Sequence, residues 1–318
     1  MRIAVVTPAG PGANNGNRVT ANRWARILRG LGHRVSVAQQ YDGRDADLLV
    51  AVHAVRSAGA IQRFSEHRPG RPIVVLLAGT DIYGDLYGSE EGRRSARVAD
   101  RLVTLQPLAI EELRGPDQRK ARTIVQSAAP TVSPGPSLSA RHFGVAVIGH
   151  LRLVKDPFRA ALASHQVPAS SGLRIVQGGR ALSLDMARWA QREADANPRY
   201  RWLGAVPHWH ARRVLRRAHA MVISSVSEGG ANVVSEAVAD GVPVLASRMP
   251  GNVGLLGERY PGYFPVGGTA ELAGLLIHAE ESIAFRHELV AAAAPLKPLI
   301  DPAYEAAAWR DLIAELAD

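Results

Sequence analysis

The chain has 318 residues, of which 47% are hydrophobic, enough for two α/β domains with sizeable cores rather than one small domain. It has no cysteine, which excludes thiolate catalysis, disulfides and cysteine metal sites. The formal charge is +9, yet the arginines are scattered and aromatics make up only 5%, which fits a solvated arginine-rich surface or a site for small anions better than nucleic-acid binding. No apolar run reaches membrane-spanning length. The opening MRIAVVTPAG breaks into Pro and Gly after a short apolar run and reads as a strand, not a signal peptide. We expect a cytoplasmic protein with no integral membrane contact.

Arg2 to Thr7 is the first predicted strand, and Pro8 to Arg18 (PAGPGANNGNR) is a loop of turn formers. A helix follows with Trp24, Ile27, Leu28 and Leu31 at helical spacing, stopping at Gly30 to Gly32. Strand, glycine loop and helix make a mouth whose free N–H groups suit an anion. Gly12, Asn14, Asn17, Arg18 and Thr20 are therefore candidates for holding an acceptor or a diphosphate, with helix capping by Asn17 the plain structural alternative. Strands are predicted at His33 to Ala38, Asp47 to Val52 and Pro72 to Leu77, with His53 and Thr80-Asp81 at strand ends, where parallel sheets place ligand groups. Asp81 reads equally as a helix cap. Arg101 to Leu105 and Arg122 to Val125 add two short strands, and Ser127 to His142, rich in Pro, Ser and Gly, reads as an interdomain linker.

The second half opens with a strand at Phe143 to Ile148, followed by Gly149-His150-Leu151-Arg152-Leu153-Val154-Lys155-Asp156-Pro157. Leu173 to Gln177 is a strand ending in Gly178-Gly179, and a helix carrying Leu184, Ala187, Trp189 and Ala190 follows. After Tyr200 to Gly204 comes an arginine-rich helical segment, His208 to Ala220. Met221 to Ser247, MVISSVSEGGANVVSEAVADGVPVLAS, reads as strand, tight loop, helix, strand. Its two glycines permit close backbone approach and its helix start offers N–H groups to a phosphate. Glu228 and Glu236 enclose seven residues, so both carboxylates stand where hydroxyls beside that phosphate would lie, a combination suited to a nucleotide sugar. Arg248 to Gly254 is a predicted loop, and Asp301-Pro302 starts a helix with Tyr304, Ala308, Trp309, Leu312 and Leu316 along one face.

The central segment resembles the E-x7-E signature of family-4 glycosyltransferases of the GT-B fold. That resemblance implies an α/β protein with two Rossmann-like domains whose parallel sheets face across a cleft. It implies that Glu236 holds the donor ribose, that the backbone of Gly229, Gly230, Ala231, Asn232 and Val233 holds the diphosphate, and that Glu228 faces the sugar. The stretch from Gly149 is similar to the family's G-R-L-x-x-x-K, with Lys155 at the lysine, His150 in place of the arginine and Arg152 two residues later. A cation is chemically required to stabilise a departing nucleoside diphosphate. Lys155 is accordingly the first catalytic candidate, with Arg152 as a further catalytic candidate and His150 in donor binding. Leu203 lies in a stretch that resembles the family's nucleobase loop. Ala78-Gly79-Thr80-Asp81 resembles the family's His-Gly-Thr-Asp, with alanine at the histidine, and makes Thr80 and Asp81 acceptor candidates.

The blocks PAGPGANNGNR, AGTDIYGDL, GHLRLVKDP and SEGGANVVSEA together resemble the selenosugar synthase family over nearly the whole chain. The resemblance implies transfer of a sugar from UDP-N-acetylglucosamine or a related UDP-hexose to selenophosphate, without a cofactor or metal, giving a 1-seleno-sugar for selenoneine synthesis. The expected organisation is an acceptor domain over 1–128, a linker over 129–142, a donor domain over 143–298 and a helix over 299–318 packing back on the first domain. The alternatives are a conventional family-4 enzyme with a hydroxyl acceptor, a UDP-sugar epimerase and a non-enzymatic nucleotide-binding module.

Overall fold

The computed structural model describes residues 1–13, 15–131, 139 and 141–316. Asn14 and most of the predicted linker lie outside the described residues. The chain divides into two units, Met1–Ser127 with Glu228–Gly230 and Leu299–Asp318, and Ala128–Ser227 with Ala231–Pro298.

In the first unit, strands β1 (Arg2–Val6), β2 (Arg34–Ala38), β3 (Leu48–Val52), β4 (Ile73–Leu76), β5 (Arg101–Thr104) and β6 (Ala121–Thr123) form a sheet in the order 2-1-3-4-5-6, with every neighbouring pair parallel. β3 is LLVAV and buried throughout, because helices cover both faces of a parallel sheet and leave no residue to alternate. Helix α1 (Gly16–Gly30) covers one face. On the other, α2 (Ala58–His67) brings Ile61 and Phe64 into a cluster with Leu49, Val75 and Leu102, to which α3 (Glu90–Val98) adds Ala96.

The second unit holds β7 (Phe143–Ile148), β8 (Leu173–Gly178), β9 (Tyr200–Trp202), β10 (Ala220–Ile223), β11 (Val244–Ser247) and β12 (Tyr263–Phe264) in the order 12-11-10-7-8-9, again all parallel. Counted within the unit, this is the doubly wound order 3-2-1-4-5-6, whose direction reverses between β7 and β10. Its helices are α4 (Arg159–Ser164), α5 (Leu184–Ala196), α6 (His208–Arg216), α7 (Asn232–Ala239), α8 (Pro250–Leu256), α9 (Thr269–Glu281) and α10 (Ile283–Ala292).

Helix α11 (Pro302–Glu315) returns to the first unit, where Trp309 meets Trp24 of α1 edge to face with ring centroids 4.7 Å apart. The predicted apolar face of α11 needs one correction. Tyr304 is exposed and Glu305 is fully buried in its place. The Glu305 carboxylate accepts the Trp24 indole N–H at 2.9 Å, and the amide and hydroxyl of Ser127 at 2.9 and 2.5 Å, so the cost of burying it is met by three donors.

Other sequence expectations shift for local reasons. The segment His208 to Ala220 is helical only to Arg216, since Ala220 already belongs to β10. Arg248 to Gly254 is not all loop, because Pro250 at a helix start, where its missing N–H costs nothing, opens α8. On α5 the core side is Met186 and Ala190, while Leu184 and Trp189 reach solvent. Among the described residues no helix is long and apolar enough to cross a membrane.

Candidate active site

In the second unit the site is built at the strand-order reversal. β7 ends at Ile148, and Gly149 to Asp156 then folds back through a single tight turn, Leu153–Lys155, closed by Asp156 in a left-handed conformation (φ +43°). Aspartate tolerates that conformation better than most residues, and its carboxylate is held by Arg159 Nε at 2.7 Å. The loop after β10 is tied to this turn. Ser224 Oγ donates to the Asp156 carbonyl at 2.7 Å, and the Val226 amide donates to the Val154 carbonyl at 2.9 Å. Ser247 Oγ, from the end of β11, donates to the Ser225 carbonyl at 2.6 Å and is backed by Asn252 of α8. Lys155 therefore stands on a turn braced by two neighbouring strand ends.

These loops line an open pocket formed by Gly149, His150, Lys155, Gln177, Ser224 and Ser225, among others. It lies at the carboxyl ends of β7, β8 and β10, where doubly wound sheets bind nucleotides. His150 Nδ1 accepts the Arg180 amide at 3.2 Å, so the proton of the neutral ring resides on Nε2. Gly179 lies under this loop. A Cβ at 179 would come 1.8 Å from the Gly149 carbonyl oxygen, so only glycine permits the two backbones to pass.

Glu236 projects from α7, buried, and its Oε1 lies 2.8 Å from His208 Nε2 at the start of α6. One turn further along both helices, Arg212 pairs with Asp240 through Nε at 3.0 Å and Nη2 at 2.7 Å. The Thr131 amide also donates to Asp240, at 3.0 Å. The two rungs have the same separation of 28 residues, which registers α6 against α7. The sequence reading missed His208. The signal was the matching spacing of His208 and Arg212 against Glu236 and Asp240, each pair four residues apart.

Lys155, His150 and Arg152 thus share one loop, and Ala231, Asn232, Val233 and Glu236 share the start of α7. Glu228, Gly229 and Gly230 fall to the first unit. The Leu203 amide donates to the Gln177 carbonyl at 2.9 Å and is committed to the sheet, which leaves the carbonyl as the backbone group at 203 that could meet a base. No N–H at 203 remains for a base.

In the first unit the glycine loop leads into α1 as expected, but the cap is Asn15, whose Oδ1 accepts the Arg18 amide at 3.1 Å. Asn17 is left on the first turn, half-buried, and Gly12 is exposed. Thr20 is buried, and its hydroxyl oxygen accepts Gln126 Nε2 at 2.5 Å. It belongs to the packing of α1 and is removed from the ligand candidates. Arg18 differs from all of these. Among the described residues its buried Nε and Nη1 have no hydrogen-bond partner, a costly state for a guanidinium that carries five donors.

At the end of β4, Thr80 and Asp81 begin an irregular helical turn, Asp81–Asp85. Asp81 is fully buried and accepts the amides of Ala54, Val55 and Ala78 at 2.9, 3.1 and 2.9 Å. This corrects its reading as an acceptor contact, since its oxygens are spent on the protein. Thr80 keeps the position. Among the described residues no group of three or more His, Asp or Glu side chains is arranged to hold a metal ion.

Residues 141–294 match the family model described as Glycosyl transferases group 1. Among solved structures, Anabaena HepE in complex with UDP is 16% identical with a TM-score of 0.78, over 99% of this chain and 100% of that one. HepE in complex with UDP-glucose gives a TM-score of 0.73 at 16% identity, over 99% and 98%. Sucrose-phosphate synthase from Thermosynechococcus elongatus gives 0.77 at 16% identity, over 99% and 98%. No curated protein matches the chain by sequence. The chain therefore has the GT-B fold along its length, and its residues 141–294 are similar to the glycosyl transferases group 1 family.

Proposed function

We propose that the protein transfers a hexosyl group, N-acetylglucosaminyl in the first instance, from a UDP-sugar to the selenium of selenophosphate, releasing UDP; water then cleaves the selenium–phosphorus bond, releasing phosphate and leaving a 1-seleno-sugar. The observation that carries transfer from a nucleotide sugar is the braced pocket at the strand-order reversal of the second unit, with Lys155 and His150 in its lining. Its support from outside is that relatives of the same fold are described with UDP and UDP-glucose. The acceptor is read from the sequence blocks that resemble selenosugar synthases. It agrees with Arg18, whose N–H groups without a partner among the described residues suit a tetrahedral oxyanion.

Selenium supplies the electron pair for the new bond to the anomeric carbon, and the bond from that carbon to the diphosphate oxygen breaks with its pair leaving on UDP. Lys155 stabilises the charge developing on the diphosphate, and the His150 Nε2–H donates a second bond to it. The amides at the start of α7 hold the phosphates, and Glu236, oriented by His208, holds the ribose hydroxyls. Arg18 and Asn17 orient the acceptor.

The test is UDP release from UDP-N-acetylglucosamine with and without selenophosphate, in wild type and Lys155→Ala, with mass spectrometry of the product. Selenophosphate-dependent release and a selenium-bearing sugar, both lost in the variant, are expected. Release that ignores selenophosphate but follows an added sugar or lipid hydroxyl would replace the acceptor and leave the donor assignment standing. Sugar interconversion without any acceptor would replace transfer by epimerisation.

A further inference from the structure

His53, at the end of β3, has backbone φ +77°, a left-handed conformation that β-carbon-bearing residues hold at a cost and that concentrates at functional sites. Its ring is 2% exposed and clamped on both nitrogens, Nδ1 lying 2.7 Å from Asp81 Oδ1 and Nε2 lying 3.0 Å from Thr80 Oγ1. The short contact to Asp81 puts the ring proton on Nδ1. The Arg56 amide, 3.3 Å from the same nitrogen, is the weaker neighbour. Nε2 of the neutral ring is then an acceptor and takes the Thr80 hydroxyl proton. Asp81 is the ionisable side chain against the ring. Thr80 and Asp81 reach it from the end of β4, and the Arg56 amide from the approach to α2.

The result is a carboxylate, an imidazole and a hydroxyl in line, with the hydroxyl half-buried at the carboxyl end of a parallel strand. Because the Thr80 proton points inward to the ring, the lone pairs of its oxygen point away from it. Such an oxygen accepts a proton from a ligand, and the ring behind it can store one.

We propose that Thr80, His53 and Asp81 form a proton relay for the acceptor. An acceptor X–H, X being oxygen or selenium, donates to Thr80 Oγ1. As X bonds to the anomeric carbon and the diphosphate leaves with its electron pair, the X–H proton passes to Thr80 Oγ1 and the hydroxyl's own proton passes to His53 Nε2. The imidazolium is paired with Asp81 and returns the proton to water afterwards. Thr80 touches substrate and is the catalytic residue of the three, whereas His53 and Asp81 act through it. The relay rests on the glycosyl-transfer reading above, but not on which acceptor is used.

The test is a pH profile of kcat/KM for the acceptor in wild type, His53→Asn, Thr80→Ser and Thr80→Val, with UDP affinity measured by calorimetry as the control for the donor site. Asparagine tolerates the left-handed backbone and has no basic nitrogen. In wild type the parameter is expected to rise with pH to a plateau. In His53→Asn it is expected to fall about 100-fold at neutral pH and to climb back toward wild type in alkali, where solution takes the acceptor's proton. Thr80→Val should follow His53→Asn, and Thr80→Ser should stay within about fivefold of wild type. A loss of equal size at every pH, which a purely structural clamp would give, or no loss at all, would overturn the relay and leave glycosyl transfer intact. Wild type that binds UDP yet transfers to no acceptor would overturn both.

Discussion

In the second unit the loops that follow β7, β10 and β11 are cross-braced, so that Lys155, Ser224 and Ser247 stand on backbone tied by carbonyls and hydroxyls within a few ångströms. In the first unit the candidates are held one at a time: Arg18 by an Asn15 cap, and Thr80 by a ring that a buried aspartate steers. A braced loop presents preformed donors to charge that develops in place. Single groups, each with its own anchor, can be changed one by one and suit the reading of an acceptor's shape. The comparison predicts that damage to the Lys155 loop appears in kcat, damage to the support of Glu236 in donor KM and damage in the first unit in acceptor terms.

Lys155→Ala should be the most severe change, lowering kcat by about 10²–10³ with UDP binding weakened far less. A rise in donor KM with kcat intact would erase the contrast. Arg18→Ala should raise the acceptor KM by about 10–100-fold, the worth of charge-assisted hydrogen bonds, while the donor KM stays put. Equal effects on both substrates would assign Arg18 to the donor. His208→Ala should raise the donor KM by about 3–10-fold with little change in kcat, because Glu236 loses its partner while Lys155 is untouched. His208→Gln should restore part of it.

The smallest effect concerns stability. Hydrogen bonds from Arg122, and then Arg101, hold the Glu315 carboxyl below its ordinary range. A carboxyl so depressed contributes stability above its ordinary pKa and loses it as the pH falls through the folded value. Glu315→Gln should therefore cost about 0.5 kcal/mol near neutrality, after discounting for solvent screening. The difference from wild type should vanish in acid below the folded value. A difference that persists there would mean packing and not charge.

Much of the candidate site in the second unit could be placed from the sequence because its groups lie close together in the chain. Lys155 follows its strand by seven residues, and Glu236 sits on the helix of its own strand–loop–helix unit. The strands of both sheets could be read for the same reason, except for the three-residue β9 and the two-residue β12, too short to carry a period. The relay was not legible, since His53 and Thr80 lie 27 residues apart on neighbouring strand ends and nothing local links them. Glu305 misled the reading for another cause. An acidic residue on a helix is ordinarily placed in solvent, and only the structure shows the indole and Ser127 that make burial affordable. Thr20 failed because its hydroxyl oxygen is buried and accepts from Gln126, a partner that pattern reasoning cannot see.

Glu305 also bears on the order in which the molecule can be assembled. The Trp24 and Ser127 groups that it satisfies lie 281 and 178 residues away in the chain, and nearly all of the second unit is made in between. During synthesis the apolar stripe of α1 waits uncovered, with Trp24 lacking both its acceptor and its Trp309 neighbour, until α11 has left the ribosome. The second unit, whose sheet is contiguous, has no such wait and can close first. A fragment cut at the linker would carry that stripe to solvent permanently, so the amino-terminal sheet should be isolated with α11 joined to it and not as residues 1–127 alone.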